Sequence, residues 1–333
     1  MPRCRHCKKE AIVFKHWFWM CKEHFLTYYL NRVKRVLDKF DLKDKRLLVA
    51  VSWGKDSQAL LDIMAELKPH YGYYLEWLFI KLWVGDACSV QSGFEVVDEE
   101  IGRGFNKFCR SAYESIMEIA NKHSIKINVV DLEREYGHSV PELAAKWWKA
   151  CSVCGTSKRY VMNRFARENN FDIILTWHNL TDLVIFANLN IVASKYDEVL
   201  NVASYWLPWN KDLKLVGKLK PQFRLEEEDN ELYCSLKWIN YVSSSISCPL
   251  NDKKSTHNIF ETYVKDLEKK YNYSYHFMKF LRKTLNFDNL ANKWEAKFCK
   301  KCWYLTNASD GICRFCKIMN FKNEKISPKT RLW

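Results

Sequence analysis

The chain has 333 residues, of which 48% are hydrophobic and 15% aromatic, enough for a sizeable core and too many for a largely disordered protein. Lys and Arg number 53 against 39 Asp and Glu, and this net charge of +14 favours either a polyanion partner, nucleic acid first, or general solubility. No apolar run approaches the ~20 residues of a membrane-spanning helix, and the first ten residues, MPRCRHCKKE, lack the apolar region of a secretory signal. We therefore expect a cytoplasmic protein with no membrane partner.

Thirteen cysteines in such a chain are unexpected as disulfides, because the cytosol is reducing and the chain can form a core without cross-links. Eight side chains fall instead into two groups with the spacing of metal ligands. Zinc prefers four tetrahedral Cys or His ligands, and a two-residue spacer lets both side chains of a pair face one metal. The first group is Cys4, Cys7, Cys21 and His24, and the second is Cys299, Cys302, Cys313 and Cys316.

These two groups predict two zinc ions, one in an N-terminal finger at 1–28 and one in a C-terminal finger and tail at 296–333. His6 and His16 compete for the fourth ligand position of the first finger. We rank His24 above both, because its two-residue gap from Cys21 repeats the geometry of the Cys pair. The alternative is that these side chains are unrelated surface or core groups.

Between the two fingers the sequence alternates between strand-like and helix-like segments. The first strand-like run, 46–52, precedes a helical pattern in which apolar residues recur at helix spacing between Leu60 and Leu67. Such alternation predicts an α/β fold with a doubly wound parallel sheet. Further strands are predicted at 74–84, 126–132 and 172–177, and helices near 107–123, 156–169, 225–237 and 258–285.

The last of these predicted helices is long, aromatic-rich and basic. We assign 29–257 to the sheet domain and 258–295 to a basic helical segment. Within that segment, Tyr271 to Lys283 supply cations for phosphates and aromatic rings for stacking on an extruded base, which predicts an RNA-binding surface. The alternative is a core helix with a basic outer face.

The turn after the first predicted strand reads SWGKDS. A loop that leaves a strand and opens a helix offers free backbone N–H groups and the positive end of the helix dipole, so it can cradle a pyrophosphate. This motif resembles SGGKDS, the PP-loop of ATP pyrophosphatases of the adenine-nucleotide α-hydrolase type, which cleave ATP to AMP and pyrophosphate. The alternative is an ordinary strand-to-helix turn. The candidate donors are Ser52, Gly54, Lys55 and Ser57.

Three further stretches resemble the PP-loop tRNA 2-thiouridine synthetases. Residues 151–182 match CxxCG…KR…GHNLDD, 218–237 match KPL…E…LYA, and SSSISCPLN supplies Cys248 where that family has a third Cys before a Pro. The family includes the bacterial and archaeal tRNA-5-methyluridine 2-sulfurtransferases and the cytosolic thiouridylase, and the fingers at both ends also match this branch. The chain departs from the family's Gly, Gly and Asp at Trp53, Trp177 and Thr181.

The resemblance implies ATP-dependent 2-thiolation of a tRNA uridine, with ATP, Mg²⁺, a [4Fe–4S] cluster and two Zn²⁺. In the family, three thiolates hold the cluster and leave one iron without a protein ligand, and that iron binds the sulfide to be transferred. The matching residues here are Cys151, Cys154 and Cys248. The alternative for the first two is a third zinc knuckle completed by a residue such as Cys234. By default, Cys88, Cys109 and Cys234 are buried small apolar side chains.

The resemblance also assigns roles in the reaction. Asp56 matches the family's loop aspartate and is expected to bind Mg²⁺. Lys158 is expected to be a charge stabiliser or a proton donor, and Asp182 a base or a metal partner. His178 and Asn179 are expected to border the nucleotide. The alternatives are an exposed helix lysine for Lys158 and a helix N-terminal charge for Asp182.

Further expectations follow from the resemblance alone. The substrate would be a tRNA, modified at a T-loop or wobble uridine, and the sulfur would come from a ubiquitin-like carrier or from inorganic sulfide. A homodimer is expected. Two other functions stay open: a catalytically weakened tRNA-binding paralogue, which the three departures suggest, and a PP-loop enzyme acting on another RNA base or a small metabolite.

Overall fold

The computed structural model describes residues 2–15, 17–52, 54–82, 116–147, 150–208, 215–241, 256–285 and 297–319. Short two-stranded sheets lie near both ends of this part of the chain, and a larger sheet lies between them. The strands are β1 (Val13–Lys15), β2 (Phe18–Met20), β3 (Arg46–Val51), β4 (Tyr74–Lys81), β5 (Ile127–Asp131), β6 (Ile173–Leu175), β7 (Trp206–Leu207), β8 (Gly217–Leu219), β9 (Lys297–Phe298) and β10 (Leu305–Thr306).

The central sheet has six strands in the order β5-β4-β3-β6-β8-β7. All neighbours are parallel except β7, which pairs antiparallel with β8 at one edge. The predicted doubly wound parallel sheet is therefore confirmed. Where the structure describes their ends, the four predicted strands are at most two residues shorter at either end than the sequence predicts. The last two residues of the predicted 74–84 strand lie outside the described residues. The sequence analysis did not predict β7 and β8, which are too short to show a pattern.

Helices cover both faces of this sheet. They are α1 (Lys22–Leu37), α2 (Lys55–Tyr71), α3 (116–123), α4 (Leu132–Tyr136), α5 (Val140–Trp147), α6 (Ala150–Glu168), α7 (Leu180–Val192), α8 (Tyr196–Ala203), α9 (Glu227–Leu236), α10 (Thr256–Tyr271), α11 (Tyr273–Thr284) and α12 (Arg314–Met319). Of the helix predicted near 107–123, only the part from residue 116 is described. No helix in the described ranges is both long and apolar enough to cross a membrane.

Strand β3 separates two hydrophobic cores, because successive side chains of a strand point to opposite faces. Leu47 and Val49 pack into a core that α1, α2, α7 and α9 cover, whereas Leu48 and Ala50 pack into a second core under α5, α6 and α12. All four side chains are almost completely buried. The near-continuous apolar run that predicted this strand thus reflects a sheet buried on both faces.

Two helix predictions need correction. The segment 258–285 is not one helix: it breaks at Asn272, which has φ +50 in the left-handed region that Asn tolerates better than most residues. The Glu268 carboxylate accepts a hydrogen bond from the Ser274 backbone N–H and so satisfies a donor at the start of α11. The predicted 156–169 helix begins earlier, at Ala150, where packing against α12 outweighs the low helix propensity of Gly155.

The chain adds strands first on one side of β3 and then on its other side. From β3 the chain adds β4 and then β5 on one side, and β6 and β8 lie on the other side. In open α/β sheets, ligands bind at this kind of switch point, beyond the carboxyl ends of the strands. Here those ends lead into Ser52 after β3 and into 176–179 after β6.

Candidate functional site

The loop between β3 and α2 is held in shape by the hydroxyl of Ser57. This hydroxyl donates to the carbonyl oxygens of Ser52 and Gly54 and accepts a hydrogen bond from the Ser52 backbone N–H. Because Ser57 is fully buried, its hydroxyl fixes the turn that presents the first N–H groups of α2. Gly54 precedes α2 with φ −78, an ordinary value, and Trp53 lies outside the described residues.

Lys55 opens α2 with its ammonium group held between two carboxylates. Its Nζ lies 2.8 Å from Glu227 Oε1 and 3.6 Å from Asp56 Oδ2. Burial alone lowers the pKa of Lys55, but Asp56 and Glu227 outweigh it and raise the pKa above its usual range. The second oxygen of Glu227 lies 2.9 Å from Lys265 Nζ on α10. Glu227 therefore joins the loop lysine to the basic helices.

Asp56 is oriented by two amides from distant parts of the chain. Its Oδ1 accepts hydrogen bonds from Asn179 Nδ2 at 3.0 Å and from Asn230 Nδ2 at 2.7 Å. Gln222 donates to the Asp56 carbonyl and to Asn230 Oδ1, which also accepts from Tyr29 OH at 2.6 Å. The sequence analysis identified Asp56 and Asn179 but did not single out Tyr29, Gln222 or Asn230, although the last two lie in the 218–237 stretch that resembles the family. These side chains have no chemical pattern of their own.

Asp182 lies beside Asp56 in the first turn of α7. Asn179 caps this helix: its side chain accepts from the Asp182 backbone N–H, and its backbone N–H donates to the Asp182 carboxylate. Burial and the nearby Asp56 carboxylate raise the pKa of Asp182 to about 8. Two adjacent acids with this electrostatic coupling are typical of catalytic and metal-binding sites.

Thr181, at a family Asp position, has a structural role in this chain. Its hydroxyl accepts a hydrogen bond from the Glu227 backbone N–H at 3.2 Å, so it links α7 to the start of α9. Residue 181 therefore adds no carboxylate to the site. The Glu227 carboxylate, however, repels the carboxylate of Asp182 and so helps to raise the pKa of Asp182.

Lys158 of α6 faces the loop from the other core. With Ser52, Trp177 and Met162 it lines a cavity of about 10 Å³, roughly the volume that one water needs. The structure therefore brings Lys158 to the end of β3, and its role in the reaction stays a prediction. Trp177, at a family Gly position, forms one wall of this space.

The structure does not place His178 against the loop by any described hydrogen bond. Its ring lies 5.9 Å from that of Phe186 and 6.1 Å from that of Trp177, and its Nδ1 has no hydrogen-bond partner among the described residues. Burial, together with Lys220 and Lys218, lowers the pKa of His178 to about 3, so the ring is neutral. Its contact with a nucleotide stays a prediction.

Cys151 and Cys154 lie in the first turns of α6, four residues or more before Lys158. Cys151 is exposed and Cys154 is half-buried, so both thiols are accessible on this helix. Cys248, like Cys88 and Cys109, lies outside the described residues. Cys234 is fully buried on α9, with its Sγ 3.5 Å from the Lys55 carbonyl. It therefore packs in the core, as expected by default for this thiol, and it is not in either of the metal-ligand groups found among the described residues.

The two finger groups have the geometry of metal sites. In each, the four ligand atoms all lie within 4.8 Å of one another, close to the ~3.8 Å separation that tetrahedral Zn–S bonds impose. His24 Nδ1 lies 3.2 Å from Cys21 Sγ, whereas the His6 ring stacks on the His24 ring at 4.9 Å. This arrangement favours His24 over His6 as the ligand, and His16 lies outside the described residues.

The C-terminal finger packs directly on α6. The Phe315 ring stacks on the Tyr160 ring with centroids 3.7 Å apart, and Arg314 donates to the hydroxyl of Ser152 at 2.5 Å. Ser152 lies between Cys151 and Cys154, so this finger braces the helix turn that carries both thiols.

Replacement of Cys313 by Ser is expected to lower the bound metal by about one equivalent per chain and to loosen α6, because the site then has only three soft ligands. Elemental analysis of the purified protein measures the first effect, and hydrogen exchange of the α6 amides measures the second. Ser309→Ala, at an exposed position of the same finger, is the matched control. Unchanged metal content in Cys313→Ser would show that this group holds no metal.

Comparisons with known proteins agree with this geometry, although no family model matches the chain. The chain is 30% identical over 327 residues to a tRNA-5-methyluridine(54) 2-sulfurtransferase of Pyrococcus horikoshii, covering 97% of this chain and 95% of that one. It is 31% identical over 347 residues to a protein of the same name from Thermotoga maritima, covering 98% and 99%. The U34-tRNA thiolase NcsA from Methanococcus maripaludis, solved with its [4Fe-4S] cluster, has the same fold, with a TM-score of 0.71 and 19% identity over 95% of each chain.

Proposed function

This chain belongs to the PP-loop family of tRNA 2-sulfurtransferases, and on that premise we propose that it replaces the C2 oxygen of a tRNA uridine with sulfur at the expense of ATP. The observation that carries the proposal is the convergence of Lys55, Asp56, Asp182 and Lys158 at the carboxyl ends of β3 and β6. A strand-to-helix loop with free N–H groups at the same place suits the phosphates of ATP.

The chemistry explains why ATP is needed. The C2 carbonyl of uracil is a poor electrophile, and its oxygen is a poor leaving group. Attack of that oxygen on the α-phosphorus of ATP forms a new O–P bond and releases pyrophosphate, whose developing charge Lys55 and the α2 N-terminus stabilise. Sulfide then forms a bond to C2, and the C2–O bond breaks with AMP as the leaving group.

Lys158 and Asp182 approach this reaction from opposite sides of the loop. Lys158, which borders Ser52, would stabilise charge on the oxygen that leaves with AMP. Asp182, whose pKa is about 8, can hold a proton near neutral pH and release it when a cation or an ammonium group approaches. Asp56, with its carboxylate oriented by two amides, would hold Mg²⁺.

The residues present suit an iron–sulfur cluster in part. Cys151 and Cys154 offer two accessible thiols three residues apart on a helix end that a finger braces, and Cys248 would be the third ligand. The cluster would supply an iron free to bind sulfide. The two finger groups would each hold a zinc ion with a structural role, because all four positions of each site are filled by protein.

The same proposal includes a tRNA substrate, a cytoplasmic location, a homodimer, and a sulfur supply from inorganic sulfide or a ubiquitin-like carrier. The chain's net charge of +14 supports the tRNA. The 1–28 and 296–333 fingers, the 29–257 domain and the basic 258–295 segment remain our division of the chain.

Anaerobic thiolation is the direct test. Cluster-reconstituted protein is incubated with unmodified tRNA, ATP, Mg²⁺ and sulfide, and the RNA fragments are weighed by mass spectrometry. We expect one uridine fragment to gain the mass difference between sulfur and oxygen. Cys154→Ala should abolish this gain while the metal of both fingers is retained, whereas Cys234→Ala, which removes a buried core thiol, should leave it.

Two results would overturn the proposal. A wild-type protein that binds tRNA but neither cleaves ATP nor changes the RNA mass would indicate the weakened paralogue, and Trp177→Gly would then test whether the narrow cavity beside Ser52 is the cause. A mass gain on another base would place the chain among PP-loop enzymes with a different target.

A further inference from the structure

A basic pocket opens beside the candidate site, between α1, α11 and the segment that leads into α9. Its volume is about 280 Å³, which is large enough for part of a nucleotide. Five of its lining residues come from one face of α11, at positions separated by three or four residues. The lining is Arg32, Leu180, Phe223, Arg224, Tyr275, Met278, Lys279, Arg282 and Lys283.

The cations of this pocket are crowded, and most have no carboxylate partner. Neither Arg224 nor Arg282 forms an ion pair with any residue in the described ranges, and the same holds for Lys279 and Lys283. Burial and the guanidinium groups of Arg282 and Arg32 lower the pKa of Arg224 from its usual value. Mutual repulsion of this kind costs free energy, which a bound anion would recover.

Arg282 is also held in a defined orientation. Its guanidinium lies 5.1 Å from the ring centroid of Tyr205 and 5.4 Å from that of Phe223. Cation–π contact with two rings restricts the side chain, so less side-chain entropy is lost when it binds an anion. Met278 and Leu180 give the pocket an apolar floor.

The pocket is directly connected to the reacting groups. Leu180 lies between Asn179, which holds Asp56, and Asp182, and its backbone N–H donates to the Leu225 carbonyl. Arg224 follows Gln222, which binds the Asp56 carbonyl, by two residues. The segments that line this pocket are thus the same segments that carry the groups holding Asp56.

We propose that this pocket binds a backbone phosphate of the tRNA beside the target uridine, with Arg224 and Arg282 as its donors. The inference rests on the proposed function and adds the position at which the RNA backbone is held. We favour a phosphodiester as the occupant because the donors come from several elements and continue onto the exposed, basic face of α11. A single small anion would leave that face uncovered, whereas an RNA backbone would cover it. Fixing the backbone here would direct the splayed base toward Asp182.

Salt-dependent binding of tRNA tests the inference. The affinity of fluorescently labelled unmodified tRNA is measured from 50 to 300 mM KCl by anisotropy. For Arg224→Ala and for Arg282→Ala we expect about tenfold weaker binding at 100 mM salt and a salt slope smaller by about 0.9 for each phosphate that the variant no longer neutralises. ATP affinity, measured without RNA, should not change. Arg224→Lys should restore the slope but only part of the affinity, because Lys keeps the charge without the fork.

The control variants are Lys43→Ala and Lys45→Ala, which remove exposed cations just before β3, at the amino end of that strand and not at the carboxyl end where the candidate site lies. If both arginine variants bind tRNA as these controls do, while the wild type still thiolates it, the inference is wrong and the proposed function stands. If the wild type neither binds nor thiolates tRNA, both fail. Arg282→Ala, on a surface helix, serves if Arg224→Ala does not fold.

Discussion

Replacing Asp182 by Asn is expected to lower the rate of tRNA thiolation by about 10³-fold, within the range seen for lost general acids and bases. The amide keeps the size of the carboxyl group and can still accept a hydrogen bond from Asn179, but it can neither take up a proton nor bind a cation. Single-turnover thiolation under anaerobic conditions measures this effect. The rising limb that wild-type activity shows as Asp182 ionises should also disappear from the pH profile.

The same variant should be more stable than the wild type. A carboxyl group whose pKa rises from 3.8 to about 8 on folding holds a proton in the folded state where the unfolded state has lost it. Wild-type stability therefore falls as the pH rises from about 4 to 8. Asn does not titrate, so the stability advantage of the variant should be small near pH 4 and grow to about 1–3 kcal/mol near pH 8.

Urea unfolding at pH 5, 6.5 and 8 checks this second effect. Asp197→Asn, an exposed carboxyl in the first turn of α8, is the matched control and should show no such trend. A stability difference that shrinks toward pH 8 would contradict the assignment of a raised pKa to Asp182. Lost activity together with increased stability would mark Asp182 as a residue kept for chemistry at the expense of the fold.

The sequence predicts the parts of the site that are local in the chain. The strand from residue 46 and the helix that spans Leu60 to Leu67 are confirmed, because a buried strand and an amphipathic helix each have a recognisable period. Each finger group also forms as its spacing predicts, since a two-residue gap places both side chains of a pair on one side. Sequence resemblance added Lys158 and Asp182, which have no local pattern of their own.

The supporting contacts of the site could not be predicted in this way. Gln222 and Asn230 bind Asp56 from more than 160 residues away along the chain, and Tyr29 in turn binds Asn230. Only the packing of α9 on α2 and of α1 on α9 brings these residues together. The stacking of Phe315 on Tyr160 likewise depends on where the finger docks. The break at Asn272 was missed because the apolar and basic pattern continues across it.

Replacing Lys55 by Met is expected to weaken ATP binding by about 100-fold, as for the loss of a charged hydrogen bond in a partly buried site. In the structure this ammonium group is paired with Glu227, 2.8 Å away. Glu227→Gln should therefore act in the opposite direction and tighten ATP binding by about three- to tenfold, because the phosphates no longer compete with a carboxylate for Lys55.

Lys265 provides the test that separates competition from simple disruption of the site. It shares the Glu227 carboxylate from α10, at 2.9 Å, so Lys265→Met should leave Glu227 more tightly paired with Lys55 and weaken ATP binding by about two- to fivefold. In the double variant with Glu227→Gln, the effect of Lys265→Met on ATP binding should vanish, since the Glu227 carboxylate is the link between Lys265 and Lys55 among the described residues. Isothermal titration calorimetry with ATP measures all four proteins. Weaker ATP binding in every variant would mean that Glu227 positions Lys55 for the phosphates instead of competing with them. If the effects of the two substitutions on ATP binding add in the double variant, α10 acts on the loop by another path.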